Sequence, residues 1–219
     1  MNLKKSFEYV LPKYAYIPLL SVIVINFVVY WGTRLITGGL THFNFTLPID
    51  GAIPFVPAFI VIYLLAFAQW VVGFVLIARE NRELCYRVLS GEIISKLICM
   101  ALFLAIPTTM VRPEITSDGF FDSMVAFIYR SDTPDNLFPS LHCLESWICF
   151  RGAMQIKKVG KWYAVFSLIF SLLVFASTVL VKQHVFVDIA AGVLVCEIGQ
   201  FIAKKTDSAR IFRRIESFK

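Results

Sequence analysis

Two residues in the last quarter of the sequence have the spacing of a paired histidine and carboxylate. His184 and Asp188 are four positions apart, which puts both on one face of a helix and within reach of each other. A carboxylate that accepts the proton of one imidazole nitrogen fixes the tautomer and leaves the other nitrogen free to attack an electrophile. Two interfacial residues that simply reach water would show the same spacing. The sequence alone therefore leaves open a nucleophilic and a merely interfacial interpretation of this pair.

The segment Pro139–His142 has the composition of a helix N-terminus. Proline suits the first turn, the serine hydroxyl caps it, and the free backbone N–H groups around Ser140 and Leu141 form a ready anion site. His142 in the same turn has a side chain that can protonate a leaving oxygen, although a lone histidine at such a position is more often a capping residue in contact with water.

Two basic residues lie at the ends of apolar runs, as the two histidines do. Arg112 carries a planar guanidinium suited to two phosphate oxygens, although an arginine here can also snorkel to the interface. Lys182 lies two residues before His184. Because no cluster of cysteines or carboxylates with ligand spacing accompanies them, we predict a site without a metal or other cofactor, in which Arg112, Lys182 and backbone N–H groups supply the positive charge.

The elements that must position these residues are membrane helices. The 219 residues are 58% hydrophobic and only 16% charged, far from the balance of a soluble domain. Backbone groups in hydrocarbon must be satisfied within each segment, and the barrel alternation is missing, so we predict an all-α polytopic fold with six transmembrane helices. Residues 1–203 form one six-helix domain, and residues 204–219 form a basic cytoplasmic tail. The six apolar runs are Pro18–Trp31, Phe55–Ala78, Ile93–Val111, Leu141–Met154, Trp162–Val181 and Val185–Ala203.

The distribution of lysine and arginine predicts the orientation. With cytoplasmic N- and C-termini, 17 of the 21 basic residues fall on the inside, which places the candidate site at the outer surface. These cations separate apolar runs and do not form a nucleic-acid surface, so the bilayer is the expected partner and nucleic acid is not. The five cysteines are expected to be small buried residues.

The three segments resemble the signatures of the type 2 phosphatidic acid phosphatase superfamily, which are K-x6-R-P, P-S-G-H and S-R-x5-H-x3-D. The chain reads A-x6-R-P over Ala105–Pro113, P-S-L-H over Pro139–His142, and S-T-x5-H-x3-D over Ser177–Asp188. The similarity covers about residues 50–200. It departs from the signatures where Ala105 replaces a lysine, Leu141 a glycine and Thr178 an arginine, and we hypothesise that Lys182 replaces one of the two lost cations.

The resemblance implies specific roles. His184 would attack phosphorus and form a phosphohistidine, Asp188 would orient it, and His142 would protonate the leaving group. Arg112, Ser140 and the backbone around Leu141 would bind the phosphate. The implied activity is metal-independent hydrolysis of a phosphomonoester or pyrophosphate of a membrane lipid at the extracytoplasmic face, in what we expect to be a bacterial cytoplasmic membrane.

Two other functions remain open at this stage. The P-S-L-H form and the stretch from Asp50 to Tyr63 resemble the branch that includes inositol phosphorylceramide synthase-like proteins. That branch implies a lipid phosphotransferase, in which an alcohol instead of water takes the phospho-group. A non-catalytic membrane protein of the same fold is the third possibility, and the sequence does not indicate an oligomeric state.

Overall fold

Helices make up most of the chain in the computed structural model, which describes residues 11–218. Five helices have the length and apolar composition of membrane spans, which confirms a helical membrane fold. They are α1 (Lys13–Thr37), α3 (Pro57–Glu80), α4 (Arg82–Ala105), α7 (Lys161–Leu180) and α8 (Phe186–Thr206).

Shorter elements connect the long helices. They are β1 (Phe43–Asn44), α2 (Pro48–Ala52), β2 (Thr108–Thr109), α5 (Phe120–Ser131), α6 (Leu141–Ala153) and α9 (Arg210–Ser217). The two strands pair in parallel, with Phe43 opposite Thr108. The sequence patterns did not predict α5 or this strand pair, because an amphipathic surface helix and a two-residue ladder leave little trace in mean hydropathy.

The sixth predicted span is not confirmed. The run that begins at Leu141 forms only the 13-residue α6, which is about 20 Å long and shorter than a hydrocarbon core of about 30 Å. Eight of its residues are buried against other helices. Its apolar character is therefore accounted for by burial in protein, as is common for apolar runs of 10–14 residues.

Close helix contacts bring the second and third signature segments together. A Cβ added to Gly192 of α8 would lie 2.6 Å from the carbonyl oxygen of Ser140, so only glycine admits this approach. The Ser140 N–H donates to the carbonyl oxygen of Asp188 at 3.1 Å. Lower along α8, Gly199 packs with similar closeness against Gly91 and Ser95 of α4, which is the small-residue packing expected between membrane helices.

A cluster of buried ionisable side chains lies between α4 and α6. The Lys96 ammonium contacts Glu145 Oε1 at 2.5 Å and donates to Asn26 Oδ1 at 2.6 Å. Glu92, one turn before Lys96, is also fully buried. Ionisable groups at such depth are costly unless they are paired, so this cluster specifies how α1, α4 and α6 meet.

We expect Lys96→Met to destabilise the protein by about 3–5 kcal/mol, because it leaves the buried Glu145 carboxylate without its cation. The change is measured as a lower midpoint of thermal unfolding in detergent, with the exposed Lys157→Met as the matched control. An unchanged midpoint for Lys96→Met would show that the ion pair does not hold the helices together.

The end of the bundle opposite the candidate site is rich in basic side chains. Lys158 Nζ donates to the carbonyl oxygens of Arg79 and Glu80, and Arg213 of α9 pairs with Glu83. The predicted tail, residues 204–219, thus begins within α8 and continues as α9. Phe212 of α9 packs in a buried apolar cluster with Tyr86 and Leu89 of α4. Lys4, Lys5 and Lys219, which contribute to the charge count, lie outside the described residues, and the assignment of this end to the cytoplasm stays a prediction.

Candidate active site

The imidazole of His184 is held by the carboxylate of Asp188. His184 Nδ1 lies 3.1 Å from Asp188 Oδ2, and the same oxygen accepts the Val185 N–H at 3.1 Å, which caps the start of α8. The Asp188 side chain is 1% exposed and that of His184 11%. With Nδ1 turned to the carboxylate as a donor, Nε2 is the nitrogen left with a free lone pair.

A tight turn between α7 and α8 carries His184. The carbonyl oxygen of Thr178 accepts the N–H groups of both Gln183 and His184, at 2.9 and 3.1 Å. Lys182 takes a left-handed conformation with φ of 51°, which is uncommon for a residue other than glycine. The turn therefore fixes the direction of the imidazole before any ligand binds.

The segment around α2 closes over this turn. Lys182 Nζ donates to the carbonyl oxygens of Asp50 and Ile53, at 2.9 and 2.6 Å. Asp50 Oδ1 accepts the Phe186 N–H at 2.7 Å. Because an ammonium has three hydrogens and two are engaged here, Lys182 keeps one donor for a ligand.

Arg112 reaches the same region from the loop after α4. Its guanidinium donates to Gln183 Oε1 at 2.5 Å and to the Asp132 carbonyl oxygen, and it lies 4.6 Å from the centre of the Tyr129 ring. Burial lowers the pKa of Arg112, with the charge of Asp132 acting in the opposite direction. An arginine remains charged under these conditions, and its Nε–H has no protein partner.

His184, Arg112 and Lys182 line one cavity of about 320 Å³, which we call the His184 cavity. The structure thus brings together three of the residues predicted for the site, with two fixed cations beside the imidazole. Such a pocket fits a phosphate group, whose oxygens take hydrogen bonds from guanidinium and ammonium donors.

Ser140 and Leu141 do not line the His184 cavity. Ser140 is fully buried, and its hydroxyl oxygen accepts the Cys143 N–H at 3.3 Å as the cap of α6. Leu141 lines a different cavity. The observed role of this pair is to start α6 against α8, and their predicted binding of phosphate stays a prediction.

His142 lies in an aromatic surrounding. Its ring stacks on Tyr63 at 4.2 Å between centroids and meets the edges of Trp70 and Phe67 at 5.0 and 5.5 Å. The His142 and His184 ring centroids are 6.4 Å apart. His142 Nε2 is buried and has no hydrogen-bond partner among the described residues, and a buried polar atom is costly to leave unpaired.

Asp132 is the main site residue that the sequence patterns missed. It accepts hydrogen bonds from Tyr30 and Arg34, both at 2.5 Å. Burial acts to raise the pKa of the Asp132 carboxyl, but those two hydrogen bonds and the charges of Arg34 and Arg112 bring it below its ordinary value. A single aspartate in a polar loop carried no signal that would have singled it out.

No cluster of three or more histidine, cysteine, aspartate or glutamate side chains with a metal-binding arrangement occurs within residues 11–218. A family model described as the PAP2 superfamily matches residues 40–202, which contain all three signature segments. No curated protein and no solved structure shows significant similarity to the chain.

Proposed function

Because the chain belongs to the PAP2 superfamily, the type 2 phosphatidic acid phosphatases, we propose that it is a metal-independent phosphatase that takes the phosphoryl group from a lipid phosphate through a phosphohistidine on His184. The observation that carries the proposal is the imidazole of His184, held by the buried Asp188 at 3.1 Å in a cavity that also contains Arg112 and Lys182. The superfamily generally comprises phosphatases.

The proposed first step is attack of His184 Nε2 on phosphorus. Arg112 and Lys182 hold the phosphate oxygens and stabilise the charge that spreads over them in the transition state. The Asp188 carboxylate stabilises the imidazolium that forms when Nε2 bonds to phosphorus. In this mechanism the two side-chain cations supply the charge stabilisation that a metal ion supplies in other phosphoryl-transfer sites.

The leaving oxygen is protonated by His142 in the proposed mechanism. A bound phosphate carries negative charge next to the imidazole, and an opposite charge within about 4–6 Å favours the protonated form. Water then attacks the phosphohistidine, His142 accepts its proton, and inorganic phosphate leaves. The chemistry is proposed for the extracytoplasmic face, as the charge distribution along the sequence predicts.

A lipid phosphotransferase is the second candidate. The observation that favours it is the enclosure of His142, whose Nε2 is buried and without a partner. An alcohol bound there would deliver its proton to Nε2 while its oxygen attacks the phosphohistidine, and the site would then transfer the group in place of hydrolysing it.

Phosphate release from purified protein in detergent tests the proposal. A panel of lipid phosphates is offered in the presence of EDTA, with and without alcohol acceptors. Release without an acceptor supports the phosphatase, and turnover that requires an acceptor supports the transferase. If the protein turns over no substrate under either condition, both catalytic proposals fail and the non-catalytic alternative stands.

We expect Lys182→Met to lower kcat/KM for a lipid phosphate about tenfold, the effect of removing one charge-assisted hydrogen bond worth about 1.4 kcal/mol. Lys157→Met, at an exposed position outside the site, serves as the control. Thermal unfolding is measured alongside, because Lys182 also fastens the α2 segment. Unchanged kcat/KM in a folded Lys182→Met protein would remove Lys182 from the phosphate site.

A further inference from the structure

A second cavity of about 340 Å³ lies on the other side of the two histidines, and we call it the His142 cavity. Its walls come from α1, α3, α5 and the start of α6, and none of its lining residues is shared with the His184 cavity. Each histidine thus lines one cavity, with ring centroids 6.4 Å apart. A phosphoester bound between the two rings would have its phosphorus beside His184 and its organic part beside His142.

The two cavities differ in charge. The His184 cavity is lined by two cations, Arg112 and Lys182, and one carboxylate, Asp50. The His142 cavity has no lysine or arginine in its lining and contains the carboxylates of Asp132 and Glu145. Both carboxylates already have a cation, Arg34 and Lys96 respectively. An anion placed there would meet carboxylate oxygens and no free positive charge, so the cavity suits an uncharged group.

The His142 cavity opens sideways, through aromatic residues that face the surroundings of the bundle. Phe27 and Trp31 of α1 are 60% and 51% exposed, and Phe67 of α3 is 49% exposed, and all three line the cavity. In a membrane these surfaces meet acyl chains. A lipid can therefore reach His142 from within the bilayer, between α1 and α3, without passing through water.

We propose that the His142 cavity binds the uncharged alcohol portion of the lipid substrate and excludes an anionic leaving group. The proposal rests on the proposed function and narrows its substrate class from lipid phosphates and pyrophosphates to phosphomonoesters. His184 Nε2 forms the N–P bond while the P–O bond to the lipid breaks. The ester oxygen takes the His142 Nε2 proton and leaves as a neutral alcohol in the cavity. A pyrophosphate would instead leave a phosphate ester anion there.

A matched pair of substrates tests whether the His142 cavity excludes an anionic leaving group. Farnesyl phosphate and farnesyl diphosphate share one chain and differ in the group that leaves. We expect kcat/KM for phosphate release to be at least about tenfold higher with the monophosphate. We expect this ratio to fall in Asp132→Asn, which removes one carboxylate from the cavity and leaves Arg34 paired with Asp135 alone. Equal or faster release from the diphosphate in the wild type would overturn the proposal.

Two tryptophans test the lateral opening. Trp31 lines the cavity, whereas Trp162 is 64% exposed at the start of α7 and lies outside that lining. The quantity compared is kcat/KM for a long-chain lipid phosphate divided by kcat/KM for soluble glycerol 3-phosphate. We expect Trp31→Ala to lower this ratio about tenfold. We expect Trp162→Ala to leave it unchanged. If this ratio of kcat/KM values were the same in the wild type and in both variants, lipid would not enter through the lateral opening between α1 and α3.

A binding experiment separates failure of this proposal from failure of the proposed function. Absence of phosphate release from every substrate would refute the function, and binding of a brominated diacylglycerol would still report on the cavity. Bromine quenches nearby indoles, so we expect saturable quenching that decreases in Trp70→Phe, since Trp70 lines the cavity beside His142. Quenching that is identical in wild type and Trp70→Phe would refute the cavity assignment by itself.

Discussion

His184→Ala is expected to lower phosphate release from a lipid phosphate by at least about 10⁴-fold, because it removes the atom that would bond to phosphorus. The fold should tolerate the change, since the backbone N–H of residue 184 keeps its bond to the Thr178 carbonyl oxygen. Initial rates of phosphate release at saturating lipid phosphate, with thermal unfolding measured in parallel, provide the test.

The chain offers a matched control for that variant. It contains three histidines, and His42 lies in the loop after α1, where its Nδ1 is 2.9 Å from the Leu40 carbonyl oxygen. His42→Ala should keep the wild-type rate. If His184→Ala retained more than about a hundredth of the activity, the nucleophile would have to be another group.

The second large effect is expected for Asp188→Asn, which should lower kcat about 10²–10⁴-fold. Asp188 Oδ2 faces both His184 Nδ1 and the Val185 N–H, and an asparagine oxygen in that place can still accept both bonds. What the variant loses is the negative charge that stabilises the imidazolium in the transition state. A large fall in kcat with little change in unfolding temperature is therefore the expected pattern.

Asp122→Asn, at a partly exposed position of α5 outside both cavities, is the control for Asp188→Asn and should leave kcat unchanged. A fall in the unfolding temperature that parallels the loss of rate would assign Asp188 a structural role only. Wild-type kcat in a folded Asp188→Asn protein would contradict the proposed orientation of His184.

The helical membrane fold could be predicted from the sequence because long apolar runs have few structural alternatives in a bilayer. The i, i+4 spacing likewise predicted the contact of His184 with Asp188, which the structure places at 3.1 Å. The expectation that both residues lie on one helix face was wrong, because α8 begins at Phe186 and His184 lies in the turn before it.

The rest of the site depends on packing between distant segments. Hydropathy did not show that α6 is only 13 residues long, or that eight of these residues are buried against other helices. Nor did any local pattern show that Asp132 pairs with Arg34, or that the Lys182 ammonium is held by carbonyls of the α2 segment. The division of the site into a cavity with two cations and a cavity without lysine or arginine arises only when α1, α3 and α6 meet around His142.

Capture of the covalent intermediate tests the proposed phosphohistidine on His184. Purified protein is mixed with a lipid phosphate labelled in its phosphorus, in EDTA, quenched in base within the first turnover and digested for mass spectrometry. We expect a phosphoryl group on the peptide that contains His184. It should be stable in base, labile in acid and missing in His184→Ala. Phosphate release by the wild type with no labelled histidine, or with the label on another residue, would contradict the proposed phosphohistidine on His184.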